Sequence, residues 1–220
     1  MADKNLKTGT TTVGVIAKDT VVLAADLRAS LGHIAYEEES KKLYKITNRI
    51  AITNAGSVGD SLTIIRFLKS HAQLYEMERE GAMSVRAAAN LLSNVLNANR
   101  FYPYIAQFVL GGVNNEPELF EVTPDGGILE RREYAISGSG TEFAMTTLDQ
   151  NYKKDLNEED AIRLAVKAIE AGKRRDIFSG GKGVSVMVIS RNGVKELSPQ
   201  KVQEMLDKKP AAEKAQKRGS

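Results

Sequence analysis

Short apolar runs broken by polar pairs fill the first quarter of the chain, a pattern typical of successive β-strands. Residues 10–29 hold two such runs, and the polar pair Lys18-Asp19 between them suits a hairpin turn. Two further runs, KLYKIT and RIAITNAG, flank Asn48, and Gly56 closes the second of them. The sequence therefore predicts a block of four strands before the pattern changes.

Helical spacing follows, with apolar residues recurring every three or four positions over residues 57–79. Ser84 is suited to cap a second helix, which Pro103 must end. Strand patterns return in YIAQFVLGGV, ELFEVTP and ILERREYAIS. Two more helices are predicted, one over residues 141–152 and one from a cap at Asn157 to about residue 174, before the last strands VSVMVIS and GVKELS.

The order of these elements predicts an α+β fold. Strands and helices that occur in separate blocks favour antiparallel sheets with helices packed outside them. The runs VVLAA, FVLGG and VMVI are almost entirely apolar, which indicates strands buried on both faces. We therefore expect two antiparallel sheets stacked between layers of helices, in a four-layer αββα sandwich.

Composition narrows the possible functions. The chain has 220 residues, 42% of them hydrophobic, which suits one domain. Its net charge of +3 comes entirely from the last fourteen residues, DKKPAAEKAQKRGS, so we expect no nucleic-acid partner. Without cysteine, and with His33 and His71 as the only histidines, the chain lacks a thiol nucleophile and thiolate metal ligands, and a histidine triad is disfavoured.

No segment of the sequence suggests a membrane partner. The segment MADKNLKTG has no apolar core of signal-peptide length, and the sequence has no apolar run of about 18 residues. We therefore expect a soluble, cytoplasmic protein that needs no metal or cofactor.

One candidate for chemistry is the glycine that precedes three threonines. Gly9 permits a close backbone approach that could bring its carbonyl within reach of the Thr10 hydroxyl. Asp26 interrupts an apolar strand, and a carboxylate there needs a partner, for which Lys42 is available. A plainer interpretation stays open, because threonines favour strands and lysines are usually solvated.

Six motifs together resemble one family. GTTTVGV, AADLRAS, KKLYKI, NAGSVGD, SGSG and RDIFSGG occur in the order and near the spacing found in catalytic β subunits of the archaeal 20S proteasome. The resemblance covers roughly residues 8–198, and it implies an N-terminal nucleophile hydrolase fold. It further implies a propeptide of residues 1–9, a catalytic domain of residues 10–200 and a charged tail of residues 201–220 that is peripheral or disordered.

The resemblance also implies a threonine endopeptidase that cuts its own chain between Gly9 and Thr10. Thr10 would then supply both the hydroxyl nucleophile and the α-amine base. Lys42 carries over as the cation beside Thr10, held by Asp26, and the Gly56 N–H carries over as the oxyanion donor. The group that orders the new N-terminus and a catalytic water would comprise Ser139, Asp176 and Ser179.

Substrate contacts are implied as well. Ser30 and Gly56 would hydrogen-bond an extended peptide as an added strand. The pocket for the side chain before the scissile bond would be lined by Ala29, Ser40, Tyr44, Asn54 and Val58. We expect a preference for hydrophobic side chains, although Asn54 replaces an apolar residue common in archaeal relatives, and its amide penalises purely apolar groups.

Family partners follow from the same resemblance. They are a homo- or hetero-heptameric β ring stacked on a second one, α-subunit rings, unfolded protein substrates, and an AAA ATPase unfoldase that acts through the α rings. Two alternatives stay open, a non-catalytic structural β-ring subunit and the two-tier bacterial relative of the same fold. Gly9, Thr10, Asp26 and Lys42 favour a catalytic subunit.

Overall fold

The computed structural model describes residues 9–207. In chain order the strands are β1 (Thr12–Ile16), β2 (Val21–Asp26), β3 (Ala29–Leu31), β4 (Ile34–Glu37), β5 (Leu43–Lys45), β6 (Ile50–Thr53), β7 (Ala55–Gly56), β8 (Ala106–Val113), β9 (Pro117–Val122), β10 (Ile128–Arg131), β11 (Tyr134–Ser137), β12 (Val184–Ser190) and β13 (Gly193–Glu196). The helices are α1 (Val58–Arg79), α2 (Val85–Ala98), α3 (Thr141–Asn151), α4 (Glu158–Arg175) and α5 (Pro199–Asp207). No helix within the described range is long and apolar enough to cross a membrane.

Two antiparallel sheets form the centre of the domain. The first has the strand order β11-β1-β2-β12-β13, and the second has the order β10-β9-β8-β6-β5, with β7 also pairing with β8. The predicted hairpin at Lys18-Asp19 joins β1 to β2 and sets Thr12 opposite Ala25. The strands β3 and β4 form a separate short hairpin, which the sequence pattern did not predict.

Apolar side chains fill three layers. Leu23 of β2 and Val109 of β8 belong to the layer between the sheets. Ile169 of α4 lies in a cluster on the outer face of the first sheet, and Leu92 of α2 lies in a cluster on the outer face of the second. The predicted four-layer αββα sandwich is confirmed, and it is the fold that the resemblance to N-terminal nucleophile hydrolases implies.

Local capping explains where three helices begin. Ser57 caps α1 and Ser84 caps α2, each accepting a hydrogen bond from the backbone three residues later. Asn157 does the same for α4, at 2.9 Å from the Asp160 nitrogen. These side chains satisfy N–H groups that the first helical turn leaves free, and the predicted caps Ser84 and Asn157 are confirmed.

Two predicted boundaries change. The run ILERREYAIS is two strands, because β10 pairs in the second sheet and β11 in the first. The packed domain extends beyond the predicted boundary at residue 200, because α5 runs to Asp207 and buries Val202 and Met205 against the outer face of the first sheet. Residues 201–207 are thus part of the packed domain, whereas residues 1–8 of the predicted propeptide and residues 208–220 of the predicted tail lie outside the described residues.

The register of the antiparallel strand pairs brings several chain segments together at one end of the first sheet. Thr12, in the first position of β1, lies opposite Ala25 near the end of β2 and opposite Ser137 at the end of β11. Asp26, the last residue of β2, lies opposite Val184, the first residue of β12. Residues just before β1 and just after β11 therefore meet the end of β2.

Candidate active site

Thr10 is a buried residue two positions before the start of β1, and its hydroxyl lies between two charged side chains. The hydroxyl donates a hydrogen bond to Asp26 Oδ1 at 2.7 Å. Lys42 Nζ donates a hydrogen bond to the same Thr10 hydroxyl. The predicted nucleophile, carboxylate and cation therefore form one contact group.

Asp26 anchors this group at the end of β2. It is fully buried and accepts five hydrogen bonds, from Thr10 Oγ1, the Thr11 nitrogen and Lys42 Nζ on Oδ1, and from the Arg28 and Gly180 nitrogens on Oδ2. A buried carboxylate is stable when its oxygens are hydrogen-bonded and its charge is paired. These donors explain how an acidic residue can end an apolar strand.

Lys42 approaches from the second sheet, immediately before β5, and only 5% of its surface is exposed. Its Nζ lies 2.7 Å from Asp26 Oδ1. Burial lowers the pKa of Lys42 from its ordinary value, while the negative charge of Asp26 acts in the opposite direction. The plain alternative of a solvated lysine does not hold in this structure.

A second group surrounds the Thr10 nitrogen, which donates to Ser139 Oγ at 3.1 Å. Ser139 Oγ and Ser179 Oγ both donate to Asp176 Oδ2. Asp176 is the residue after the last turn of α4, and Ser139 lies just before α3. The three predicted accessory residues are therefore brought together at the nitrogen of the predicted nucleophile.

Glycines make close approaches on both sides of Thr10. A Cβ added to Gly9 would lie 1.7 Å from the Cβ of Phe178, and one added to Gly138 would lie 2.2 Å from the Thr10 carbonyl oxygen. Gly56 has a φ of +115°. A Cβ at Gly56 would also lie 2.2 Å from the Ile105 carbonyl oxygen, so this position needs glycine for both space and conformation.

A small cavity opens beside the Thr10 hydroxyl. Its lining includes Thr10, Lys42 and Gly56, together with five of the predicted substrate-binding residues, namely Ala29, Ser30, Ser40, Asn54 and Val58. Ser30 Oγ already donates to the Phe178 carbonyl at 2.8 Å. Tyr44 does not line this cavity, because its hydroxyl donates to the Lys41 carbonyl and its ring packs against the cluster beneath α1 and α2.

Asn54 is the polar residue of this cavity that most needs a partner. Only 6% of its surface is exposed, and its Oδ1 has no hydrogen-bond partner among residues 9–207. An unpaired buried amide oxygen costs about 1–3 kcal/mol, which a ligand bearing a donor would relieve. A hydrophobic preference therefore stays a prediction, to which Asn54 adds a place for a hydrogen-bond donor.

A larger cleft at the far end of β1 lacks this chemistry. Its lining is rich in charged side chains of both signs, including Lys18, Glu116 and Arg191, and it contains no threonine or serine held by a charged pair. Within the described range, the predicted nucleophile and its charged partners lie beside the smaller cavity. We therefore take the Thr10 cavity as the candidate active site.

Three contacts at this site were missed by the sequence analysis. The Arg28 and Gly180 nitrogens hold Asp26 Oδ2, and Thr11 Oγ1 lies 2.7 Å from Ser179 Oγ. The backbone donors carry no signal in the side-chain pattern. Thr11 was assigned to the strand because β-branched residues favour extended structure, and no contact was predicted for its hydroxyl.

Comparison with known proteins identifies the family. The family model described as "Proteasome subunit" matches residues 6–189. The chain is 47% identical over 190 residues to "Proteasome subunit beta 1" of Pyrococcus furiosus, covering 86% of this chain and 96% of that protein. It is 43% identical over 214 residues to "Proteasome subunit beta" of Methanocaldococcus vulcanius, covering 96% of each. With most of its length matched in this way, and with the αββα sandwich described above, the chain belongs to the proteasome subunit family as an archaeal-type β subunit.

Proposed function

We propose that this chain is a threonine-type endopeptidase subunit of the 20S core, which cuts itself before Thr10 and then hydrolyses unfolded proteins to short peptides. One observation carries the proposal, namely the buried Thr10 hydroxyl held between the Asp26 carboxylate and the Lys42 ammonium group. A subunit with only a structural role has no need for a buried charged pair around one hydroxyl, since well-packed apolar residues in place of the whole pair are often as stable or more stable.

Self-cleavage is the first step of this mechanism. The Thr10 oxygen attacks the Gly9 carbonyl carbon through a five-membered ring, and the peptide nitrogen leaves that carbon and takes a proton. The product is an ester between residue 9 and the Thr10 oxygen. Water then adds its hydroxyl to the ester carbon and returns a proton to the Thr10 oxygen, which releases residues 1–9 as a carboxylic acid and leaves a free α-amine.

Substrate hydrolysis then uses the same oxygen. The freed amine, with an ordinary pKa of about 7.7–8.0, takes the hydroxyl proton as Thr10 attacks a substrate carbonyl, and later passes that proton to the leaving amine. Water then cleaves the resulting ester by adding its hydroxyl to the ester carbon, and the Thr10 oxygen regains a proton through the same amine. Lys42 donates to the Thr10 oxygen and stabilises its developing negative charge. The lowered pKa of Lys42 makes its proton easier to share at that moment.

Binding residues complete the proposed site. The Gly56 N–H is assigned to the substrate oxyanion, a kind of contact worth about 2.7–4 kcal/mol in other hydrolases. Gly56 and Ser30 are further assigned to the backbone of an extended substrate. Their position along the cavity that contains Thr10 supports these roles.

Assembly follows the family. Proteasome β subunits form β rings within the 20S core together with α rings. For this chain we propose two stacked heptameric β rings, of one or two kinds of β subunit, with an ATPase unfoldase acting through the α rings and the particle in the cytoplasm.

The test is the intact mass and peptidase activity of the particle made by co-expression with an α subunit. We expect the wild-type chain to lose residues 1–9 and to hydrolyse fluorogenic peptides. Thr10→Ala is expected to keep its full mass and to be inactive. Thr146→Ala, an exposed threonine on α3, is the matched control and should behave as wild type.

Two results would overturn the proposal. Normal turnover by Thr10→Ala would remove Thr10 from the mechanism. A full-length, inactive wild-type chain in an assembled particle would favour the structural subunit instead.

A further inference from the structure

Thr11 has a hydroxyl that the proposed mechanism does not use. The residue is fully buried, and its Oγ1 lies 2.7 Å from Ser179 Oγ. Its side chain is absent from the lining of the substrate cavity. Thr11 therefore contacts Ser179 on the side away from the substrate cavity.

Two glycines fix the position of this hydroxyl. A Cβ added to Gly140 would lie 1.9 Å from Thr11 Oγ1, and a Cβ added to Gly172 would lie 2.4 Å from it. Backbone at the start of α3 and backbone within α4 therefore pack directly against the Thr11 side chain. Such close packing leaves the hydroxyl little freedom to turn away from Ser179.

Hydrogen-bond direction assigns the donor in the Thr11 to Ser179 contact. Ser179 has one hydroxyl proton, and it donates that proton to Asp176 Oδ2. Thr11 must therefore donate to Ser179. From the other side, the Thr10 nitrogen donates to Ser139, which donates to the same Asp176 oxygen.

We propose that the Thr11 hydroxyl is a positioning group that, through Ser179 and Asp176, holds Ser139 in place to receive the Thr10 nitrogen. The proposal rests on the proposed function, in which that nitrogen becomes the catalytic base. Without the Thr11 proton, Ser179 Oγ has lost its donor in a place that is 99% buried, and the contact that orients Ser179 toward Asp176 is gone.

The test compares Thr11→Val with Thr11→Ser in assembled particles. Valine keeps the shape of threonine and removes the hydroxyl, whereas serine keeps the hydroxyl and removes the methyl group. For Thr11→Val we expect kcat on a fluorogenic peptide, per processed subunit counted by intact mass, to fall about tenfold. KM should stay close to wild type because Thr11 does not contact the cavity, and Thr11→Ser should restore most of kcat.

Self-cleavage gives a second readout should Thr11→Val process poorly. The rate of loss of residues 1–9 should then fall for Thr11→Val and recover for Thr11→Ser, even where no mature enzyme is obtained from the valine variant. In a Ser179→Ala background, where the hydroxyl has no acceptor, Thr11→Val should add little further loss.

Wild-type kcat in Thr11→Val, or a loss in Thr11→Ser as large as in Thr11→Val, would overturn the positioning role and leave only a packing role. Activity in Thr10→Ala would instead overturn the proposed function itself. The two failures are therefore distinguishable in one set of particles.

Discussion

Replacing Asp26 with asparagine changes its size very little and removes its charge, so it tests whether Asp26 holds the site together. The carboxylate accepts three hydrogen bonds on Oδ1 and two on Oδ2, and it donates none. All five of its hydrogen-bond partners are donors. An asparagine amide has an acceptor at one end only, so it cannot meet this arrangement in either orientation.

The structure allows the cost to be worked out. In the better orientation the oxygen keeps the Oδ1 contacts, and the NH2 group faces the Gly180 N–H at 2.8 Å and the Arg28 N–H at 3.3 Å. The Gly180 N–H is then left without an acceptor, at a cost of about 1–3 kcal/mol, whereas the Arg28 N–H keeps a second hydrogen bond to the Gly180 carbonyl oxygen. Lys42 also loses its counter-charge, and breaking a buried ion pair from one side costs about 3–5 kcal/mol.

Because these contacts share one side chain, their costs do not simply add. We expect Asp26→Asn to lower the free energy of unfolding by about 5 kcal/mol, which is much of the stability of an ordinary domain. The assay is urea unfolding of the full-length chain followed by far-UV circular dichroism. Asp19→Asn, in the exposed turn between β1 and β2, is the matched control and should change the unfolding free energy by less than about 0.5 kcal/mol.

A stability of Asp26→Asn equal to that of Asp19→Asn would refute the reasoning, since five inward-pointing donors could not then depend on the carboxylate. A further check is Lys42→Met in the Asp26→Asn background. Removing the unpaired ammonium group should recover part of the lost stability, and no recovery would show that the ion pair was not part of the loss.

Two further predictions concern processing and pH. Gly9→Ala should slow the loss of residues 1–9 in a mass time course, because the added Cβ would overlap Phe178. Once processed, the enzyme should have a normal kcat, since residue 9 is no longer attached. A wild-type rate of processing would contradict this prediction. The pKa of Lys42 is lowered on folding, so the unfolded chain binds more protons between that lowered pKa and the ordinary 10.5, and stability relative to Lys42→Met should rise with pH across this window. Urea midpoints of both proteins, measured from neutral pH upward, provide the check, and a constant or falling difference would contradict it.

The parts of the fold that were predictable from sequence are those with local causes. Ser57, Ser84 and Asn157 cap their helices through contacts three residues away, and the Lys18-Asp19 hairpin joins adjacent strands. The hairpin of β3 and β4 was not predicted because its residues are mostly exposed and do not alternate between apolar and polar. Helix α5 was not predicted because its charged residues suggested a tail, although Val202 and Met205 form an apolar stripe that packs on the domain.

In the candidate site, too, the features with a local cause could be predicted and the contacts between distant residues could not. The need of Asp26 for a partner could be inferred from one strand, because a carboxylate in an apolar run must be paired. The contact of Thr11 with Ser179 could not, since the two residues are 168 positions apart and meet only after α4 packs on the first sheet. Tyr44 was misplaced because strand alternation turns its side chain toward the helix-facing cluster, away from the cavity.

The Thr10 hydroxyl is held by both sheets at once, and this explains why the site needs the whole sandwich. Asp26 comes from the end of β2 in the first sheet, while Lys42 immediately precedes β5 in the second. Leu43, the residue after Lys42, is buried in the apolar layer between the sheets. The distance between the sheets therefore sets the distance between Lys42 and Thr10, so packing in that layer controls the geometry of the proposed nucleophile as directly as the charged residues do.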